Sequence, residues 1–208
     1  LSTVAAGNTI TAAQWNSLFT AMTNLADHTN RSLTSTTAVT SGDTIAIKAA
    51  LQSDLNNLAS DVAAGCPSAT AFTNTSNKTA DTSSSWTTTQ TKDITWTAAS
   101  ADALRWFFNA GGKVVCDWSR TAGEAHAKNN EWTDITGRAG PVTIKANDLD
   151  SSGGASHTIN NDFGFHDLTS SYQTLCTTVG DTSPYTANSL VYSALVSGAS
   201  ITIRTVYT

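Results

Sequence analysis

Ala101-Asp102-Ala103-Leu104-Arg105-Trp106-Phe107-Phe108-Asn109-Ala110-Gly111-Gly112, ADALRWFFNAGG, joins a capped apolar helix directly to a glycine turn and a strand. Ser100 supplies a capping hydroxyl ahead of the helix, and Gly111 or Gly112 supplies the left-handed residue that ends it. Leu104, Phe107 and Phe108 recur at helical spacing on one face, which marks a packing helix. The run offers no nucleophile and no base. Arg105 and Asn109, its strongly polar members besides Asp102, read as helix solvation and capping.

Toward the C-terminus the pattern stays mixed. Ile94 and Trp96 alternate as a strand before the helix, and Val114, Cys116 and Trp118 alternate as a strand after it. Trp132 and Ile135 share a face of a second helix expected from about Asn130 to Gly137, closed by Gly137 or Gly140. Val142 and Ile144 follow as a strand, and Asp148 to Gly154 reads as a turn. Antiparallel strands are then expected around 163–168, 172–179, 190–196 and 201–208, parted by turns at Gly180 to Pro184 and at Ser197-Gly198.

Toward the N-terminus lies an internal repeat. Gly7-Asn8-Thr9-Ile10 and the segment to Asp27 parallel Gly42-Asp43-Thr44-Ile45 and the segment to Asp61, with one residue inserted after Ile45. Each copy reads as turn, short strand and capped helix. Trp15, Leu18, Phe19, Met22 and Leu25 keep helical spacing in the first copy, and Leu51, Leu55, Leu58 and Val62 in the second. Thr11 caps the first helix, and Gly65 with Pro67 ends the second. Two short amphipathic helices bury little surface on their own, so this segment needs a partner. That partner is the rest of the chain, another copy or a different protein. Residues 68–91, rich in Ser, Thr and Asn, read as a linker or edge segment.

The expected fold class is therefore α+β. A helical repeat module at 1–67 serves docking or oligomerisation, a Ser/Thr-rich linker covers 68–91, and 92–208 forms a domain with an antiparallel sheet or sandwich and two short helices. Trp15, Phe19, Met22, Leu51, Leu55 and Leu58 are the candidate interface residues.

Bulk composition narrows the function. Of 208 residues, 13% are charged, about half of what soluble domains carry. Abundant hydroxyl and amide groups with few charges suit a permanent assembly, where desolvating charge is costly, and also suit secreted all-β proteins. A net charge of -5 with dispersed Lys and Arg argues against a nucleic-acid partner. No stretch reaches the length of a membrane-spanning helix, so no membrane partner is expected.

Candidate chemistry is sparse. Cys66, Cys116 and Cys176 form no metal or redox spacing. Cys116 and Cys176 read as buried strand residues, and Cys66 as the exposed or chain-bridging one. His126, His157 and His166 lack metal-ligand spacing. His166 and Asp167 would point to opposite faces of a strand. Asp148, Asp150, Asn160, Asn161 and Asp162 offer calcium-type oxygens but fit turns better, since the spacing of a known calcium loop is missing. No metal, cofactor or catalytic residue is expected. Among six tryptophans, Trp15, Trp106, Trp118 and Trp132 sit in periodic apolar contexts, whereas Trp86 is the candidate for stacking on a sugar.

Ile10 to Asn16 (ITAAQWN), its echo at Gly42 to Leu58, the ADALRWFFNAGG run and Phe163 to Leu175 (FGFHDLTSSYQTL) resemble virion structural proteins of tailed bacteriophages, especially of cyanobacterial and marine phages. The resemblance covers residues 8–62 and about 92–208. It implies a non-enzymatic particle component, located in the virion, whose partners are other copies of itself and other virion proteins. It transfers no site residue. Tail, neck, fibre and capsid-surface decoration all remain open on this ground. A carbohydrate-binding module for host-surface glycans is the alternative, and a hydrolase ranks below both for want of an acid–base pair.

Overall fold

The structure, a computed structural model, describes residues 8–35, 37–43, 48–64, 88–120 and 125–208. The chain divides into two compact units, Leu1–Ala69 and Thr70–Thr208.

The first unit holds α1 (Ala12–Thr29) and α2 (Lys48–Ala64). A reciprocal cap starts α1: the Gln14 amide N–H donates to Thr11 Oγ1 at 3.2 Å, and the Thr11 amide N–H donates to Gln14 Oε1 at 3.0 Å. Asn30, in left-handed conformation, ends it. Contrary to the expected lead-in strand, Asn8 to Ile10 form no strand. The corresponding lead-in of the second copy, the Gly65–Pro67 stop, Cys66, Trp86 and most of the 68–91 linker lie outside the described residues.

Polar contacts settle how the two helices run. Just past the end of α1, Arg31 grips Asp61 near the end of α2, through Nε at 2.7 Å and Nη2 at 2.5 Å. Thr34 and Ser35 then donate to Asp54, nearer the start of α2. Val39 exchanges two hydrogen bonds with the side chain of Asn16, near the start of α1. The segment after α1 thus runs back along both helices, so α1 and α2 are parallel. Phe19, Met22, Ala26, Leu51 and Leu58 are the buried apolar residues between them.

The second unit contains β1 (Gln90–Thr97), α3 (Ala101–Asn109), β2 (Val114–Cys116), α4 (Ala127–Ala139), β3 (Val142–Ile144), β4 (Leu149–Ser151), β5 (His157–Ile159), β6 (Gln173–Val179), β7 (Ser189–Ser197) and β8 (Ser200–Tyr207). An antiparallel five-stranded sheet has the order β1-β8-β7-β6-β5, and a three-stranded sheet the order β2-β3-β4. The α+β class expected from the sequence is the one found.

The opening run folds as read. Ser100 Oγ accepts from the Ala103 amide at 3.0 Å. At the other end Gly111 N–H reaches the Phe108 carbonyl at 3.0 Å and Gly112 N–H the Phe107 carbonyl at 2.9 Å. These paired bonds need a left-handed residue, and Gly111 supplies it at φ +83°. Leu104 and Phe108 are buried, while Phe107 is half-buried at the helix edge.

Apolar side chains of one sheet face meet α3, α4 and the small sheet in a single core: Leu190, Tyr192 and Ala194 of β7 and Ile201, Ile203 and Tyr207 of β8 lie against Leu104, Phe108, Trp132 and Ile135. A bulge in β6 opposes Leu175 and Cys176 to one residue of β7, which buries both neighbours at once. The opposite sheet face carries Thr91, Asp93, Thr95 and Thr97 beside Ser200, Thr202, Arg204 and Val206, all exposed or half-buried.

In the second unit three readings need correction and one strand is new. Residues 165–167 are a 3-10 turn, not part of a strand, because Asp167 Oδ2 accepts from the Gly164 amide at 2.8 Å while the Phe165 and His166 amides bond to the carbonyls of Lys145 and Ala146. The supposed turn from Asp148 to Gly154 contains β4, which pairs with β3. The β5 edge strand was not anticipated. Finally, α4 starts earlier than expected, at Ala127, because a His126 ring nitrogen accepts from the Asn129 amide at 3.4 Å; its stop is Gly140, at φ +57°.

Candidate functional site

Trp15, Phe19, Met22, Leu51, Leu55 and Leu58 come together in the first unit. Phe19, Met22, Leu51 and Leu58 are buried in the core between the two helices. Trp15 is half-buried and meets Phe19 edge-on, with ring centroids 5.4 Å apart. Leu55 is half-buried, and Val62, two turns further along α2, is 64% exposed.

A helix advances about 100° per residue, so these positions resolve into faces. Relative to the seam of Phe19, Met22 and Ala26, Leu18 and Leu25 sit to one side of α1 and Asn16 to the other. Relative to the seam of Leu51 and Leu58, Leu55 and Val62 sit to one side of α2, and Asp54 and Asp61 to the other. Because the helices are parallel, Asn16, Asp54 and Asp61 share one groove, and the returning segment fills it. Leu18, Leu25, Leu55 and Val62 line the opposite groove. Gln14, Ala21, Gln52 and Ala59 flank it without charge, while His28 continues the first of these rows and Lys48 stands two turns before Leu55.

Asp54 and Asp61 are functional in the structural sense and were missed by sequence reading. Both lie buried on the apolar stripe of α2. Burial pushes the Asp54 carboxyl up, but the hydrogen bonds from Thr34 and Ser35 outweigh it and hold the group below the ordinary carboxylate range. A depressed folded value means the unfolded chain binds the proton more readily. The stabilisation is therefore present above the unfolded value of 3.8 and is lost as pH falls through the folded one. Asp54→Asn should cost about 2–4 kcal/mol at neutral pH. Denaturation measured from pH 7 to pH 2 should show this difference shrinking below about pH 4; a difference that does not change with pH would refute the ionic role.

The histidines separate. His126 caps α4, and His166 Nε2 meets Asn109 Oδ1 at 2.9 Å, tying the 3-10 turn to the end of α3. His157 lies between Ser151 Oγ (2.9 Å from Nε2) and Thr178 Oγ1 (2.7 Å from Nδ1), and burial lowers its pKa. A hydroxyl beside an imidazole is the arrangement that activates a nucleophile. Here Ser151 Oγ also accepts from the Gly153 amide at 3.1 Å and approaches the Ala139 carbonyl at 3.4 Å. The cluster links β4, β5 and β6.

The acidic groups are neutralised from within. Lys145 Nζ pairs with both Asp148 (3.3 Å) and Asp150, and its pKa is raised chiefly by the hydrogen bond to Asp150. These carboxylates line an open depression with Leu149, Ser151, Ile159 and Asn161. Glu131, Asp134 and Asp181 bring carboxylate oxygens within 4.8 Å of one another, a spacing a cation could bridge. Arg138 supplies that positive charge: its Nε lies 2.6 Å from Asp134 and 3.6 Å from Asp181, and its Nη2 3.7 Å from Glu131. On the outer sheet face, Arg204 grips Asp93 in a two-pronged pair at 2.8 and 2.7 Å and stacks over the Tyr172 ring at 3.9 Å. The hydrogen bond from Arg204 holds the Asp93 carboxyl down.

Cys116 and Cys176 are free and buried, and desolvation pushes both thiols up to about 12. Thiols held so far from the thiolate are poor nucleophiles. Of the other tryptophans, Trp132 is buried, Trp106 and Trp118 are half-buried, and Trp118 meets Tyr207 edge-on. Among the described residues no helix is long and apolar enough to cross a membrane. No known protein family, curated protein or solved structure matches the chain.

Proposed function

We propose that this chain is a non-enzymatic structural component of a phage virion, an appendage or surface-decoration protein of tail, neck or fibre type. It assembles through self-association and by docking on other particle proteins. The observation that carries the reading is the parallel helix pair, whose apolar stripe runs past the buried seam to half-buried Leu55 and exposed Val62. A pair of helices with so small a core gains stability from burying that stripe on a partner.

The low charge supports the same reading, because a permanently buried surface loses least when few ions must be stripped of water. Internal pairing of Lys145, Arg138 and Arg204 with nearby carboxylates favours a scaffolding use of these charges over a chemical one. Mass spectrometry of purified virions of the phage that encodes the chain should detect it in fixed ratio to the other particle proteins. Immunogold electron microscopy should then place it on the tail, neck, fibres or capsid surface. Particles that lack the chain would overturn the proposal. Binding to host polysaccharides on a glycan array, by a chain absent from particles, would favour a carbohydrate-binding module instead.

A further inference from the structure

The two helices of the first unit are copies of one motif, yet they do not have equivalent surroundings. Aligned with the single residue inserted after Ile45, Trp15, Phe19, Met22 and Ala26 of α1 correspond to Leu51, Leu55, Leu58 and Val62 of α2. Leu18 and Leu25 correspond to Asp54 and Asp61. Phe19 and Ala26 are buried at 5% and 3% exposure against α2. Their counterparts are less covered: Leu55 packs only half-buried at the edge of that core, and Val62 is 64% exposed.

The mismatch is reciprocal. The side of α2 that receives α1 and the returning segment is buried through Leu51, Asp54, Leu58 and Asp61. On α1 the corresponding side is Trp15, Leu18, Met22 and Leu25, of which Trp15, Leu18 and Leu25 are only half-buried. What one helix lacks, the other displays. Each chain thus carries both halves of a second copy of its own α1–α2 contact.

We infer that Leu55 and Val62 of α2 pack against Leu18 and Leu25 of α1 in a second copy of this chain, repeating between chains the parallel helix contact already made within one. The inference rests on the reading of the chain as an assembling component and names the surface it uses. Such a contact joins different patches of the two copies, so it repeats head to tail and closes into a ring when the rotation between copies allows. Both open stripes lie on the groove side opposite the returning segments. In a closed bundle the leucines and valine face the axis, and the polar returning segments face solvent.

Light scattering on the full chain at micromolar concentration should give a mass of two or more copies. Val62→Glu should reduce it to one copy with unchanged helical circular dichroism, since the residue is exposed and not part of the unit's core. Ser53→Glu, on the outer side of α2, should leave the multimer intact. Cross-linking tests the polarity of the contact: in a Cys66→Ser background, Leu25→Cys and Val62→Cys proteins should cross-link when mixed and not when kept separate. A monomeric native chain, a Val62→Glu protein that keeps its multimer, or cross-links confined to unmixed variants would each overturn the contact. Those failures leave the virion assignment to be decided by particle labelling, and a particle without the chain leaves the multimer test standing.

Discussion

Replacing Arg138 with methionine should cost about 3–5 kcal/mol of folding stability, the size expected when one partner of a buried charge cluster is removed. The side chain is only 12% exposed and joins three elements. Nη1 donates to the carbonyls of Ala155 and Val179, both at 2.9 Å, and Nε donates to Asp134 at 2.6 Å. Glu131, with 2% side-chain exposure, faces Nη2 at 3.7 Å, so the two interact as charges and not through a hydrogen bond. Without the guanidinium, that carboxylate keeps the Asp181 amide at 2.9 Å as its partner, and two carbonyls lose their donor. Adding Glu131→Gln should recover part of the loss, since a neutral amide is cheaper to bury. Arg138→Lys should fall between, because a single ammonium cannot serve carbonyls and carboxylates in a planar fork. Urea denaturation followed by tryptophan fluorescence reads all three. A loss below about 1 kcal/mol would mean the cluster contributes no more than a surface pair.

This cluster also marks where reading from sequence stops. Helix caps and helix faces depend on residues three or four apart, so Thr11, Ser100 and the apolar stripes of α1 and α3 are legible directly. Long strands with strict alternation, such as β8, are legible for the same reason. β4 and β5 are not: each is three residues long, and both sit among Asp, Ser, Gly and Asn, which normally announce turns. The alternation of Phe163 and Phe165 imitates a strand. What overrides it is a contact distant in sequence, the backbone of Asn147 and Asp148 pressed against Gly164 so closely that no Cβ fits.

The candidate interface was legible in outline only. Its six residues do gather in one place, because helical periodicity identifies an apolar stripe. Periodicity does not say how wide the stripe is or which part faces the sibling helix. That division depends on Asp54 and Asp61, which occupy apolar-stripe positions and look like interruptions until Arg31, Thr34 and Ser35 arrive from outside the helix. The available signal was a pair of carboxylates spaced two turns apart on an otherwise apolar face. Such a pair predicts a polar strap across the helix, and the strap's course makes the helices parallel.

Phe108→Ala should cost about 3–5 kcal/mol, the range for removing a buried aromatic ring. Phe108 is 1% exposed and lies flat on Phe165, with ring centroids 4.1 Å apart and planes 11° from parallel. Phe107 meets its edge at 5.2 Å and 86°. The ring therefore spans the distance from α3 to the 3-10 turn, two segments that no backbone ladder joins. Truncation removes apolar surface and leaves a cavity between them that neither can close: α3 is held by its Ser100 cap and glycine stop, and the turn is anchored by the Asp167 side chain and the Lys145 and Ala146 carbonyls. Phe108→Leu should recover much of the loss by refilling volume while sacrificing the stacking, worth about 0.5–1.5 kcal/mol beyond area. Phe107→Ala, at the half-buried edge of the same helix, should cost clearly less. If the two alanine variants lost equal stability in denaturation, the stacked ring of Phe108 would add nothing beyond an edge contact, and the tie between helix and turn would fall to the His166–Asn109 hydrogen bond.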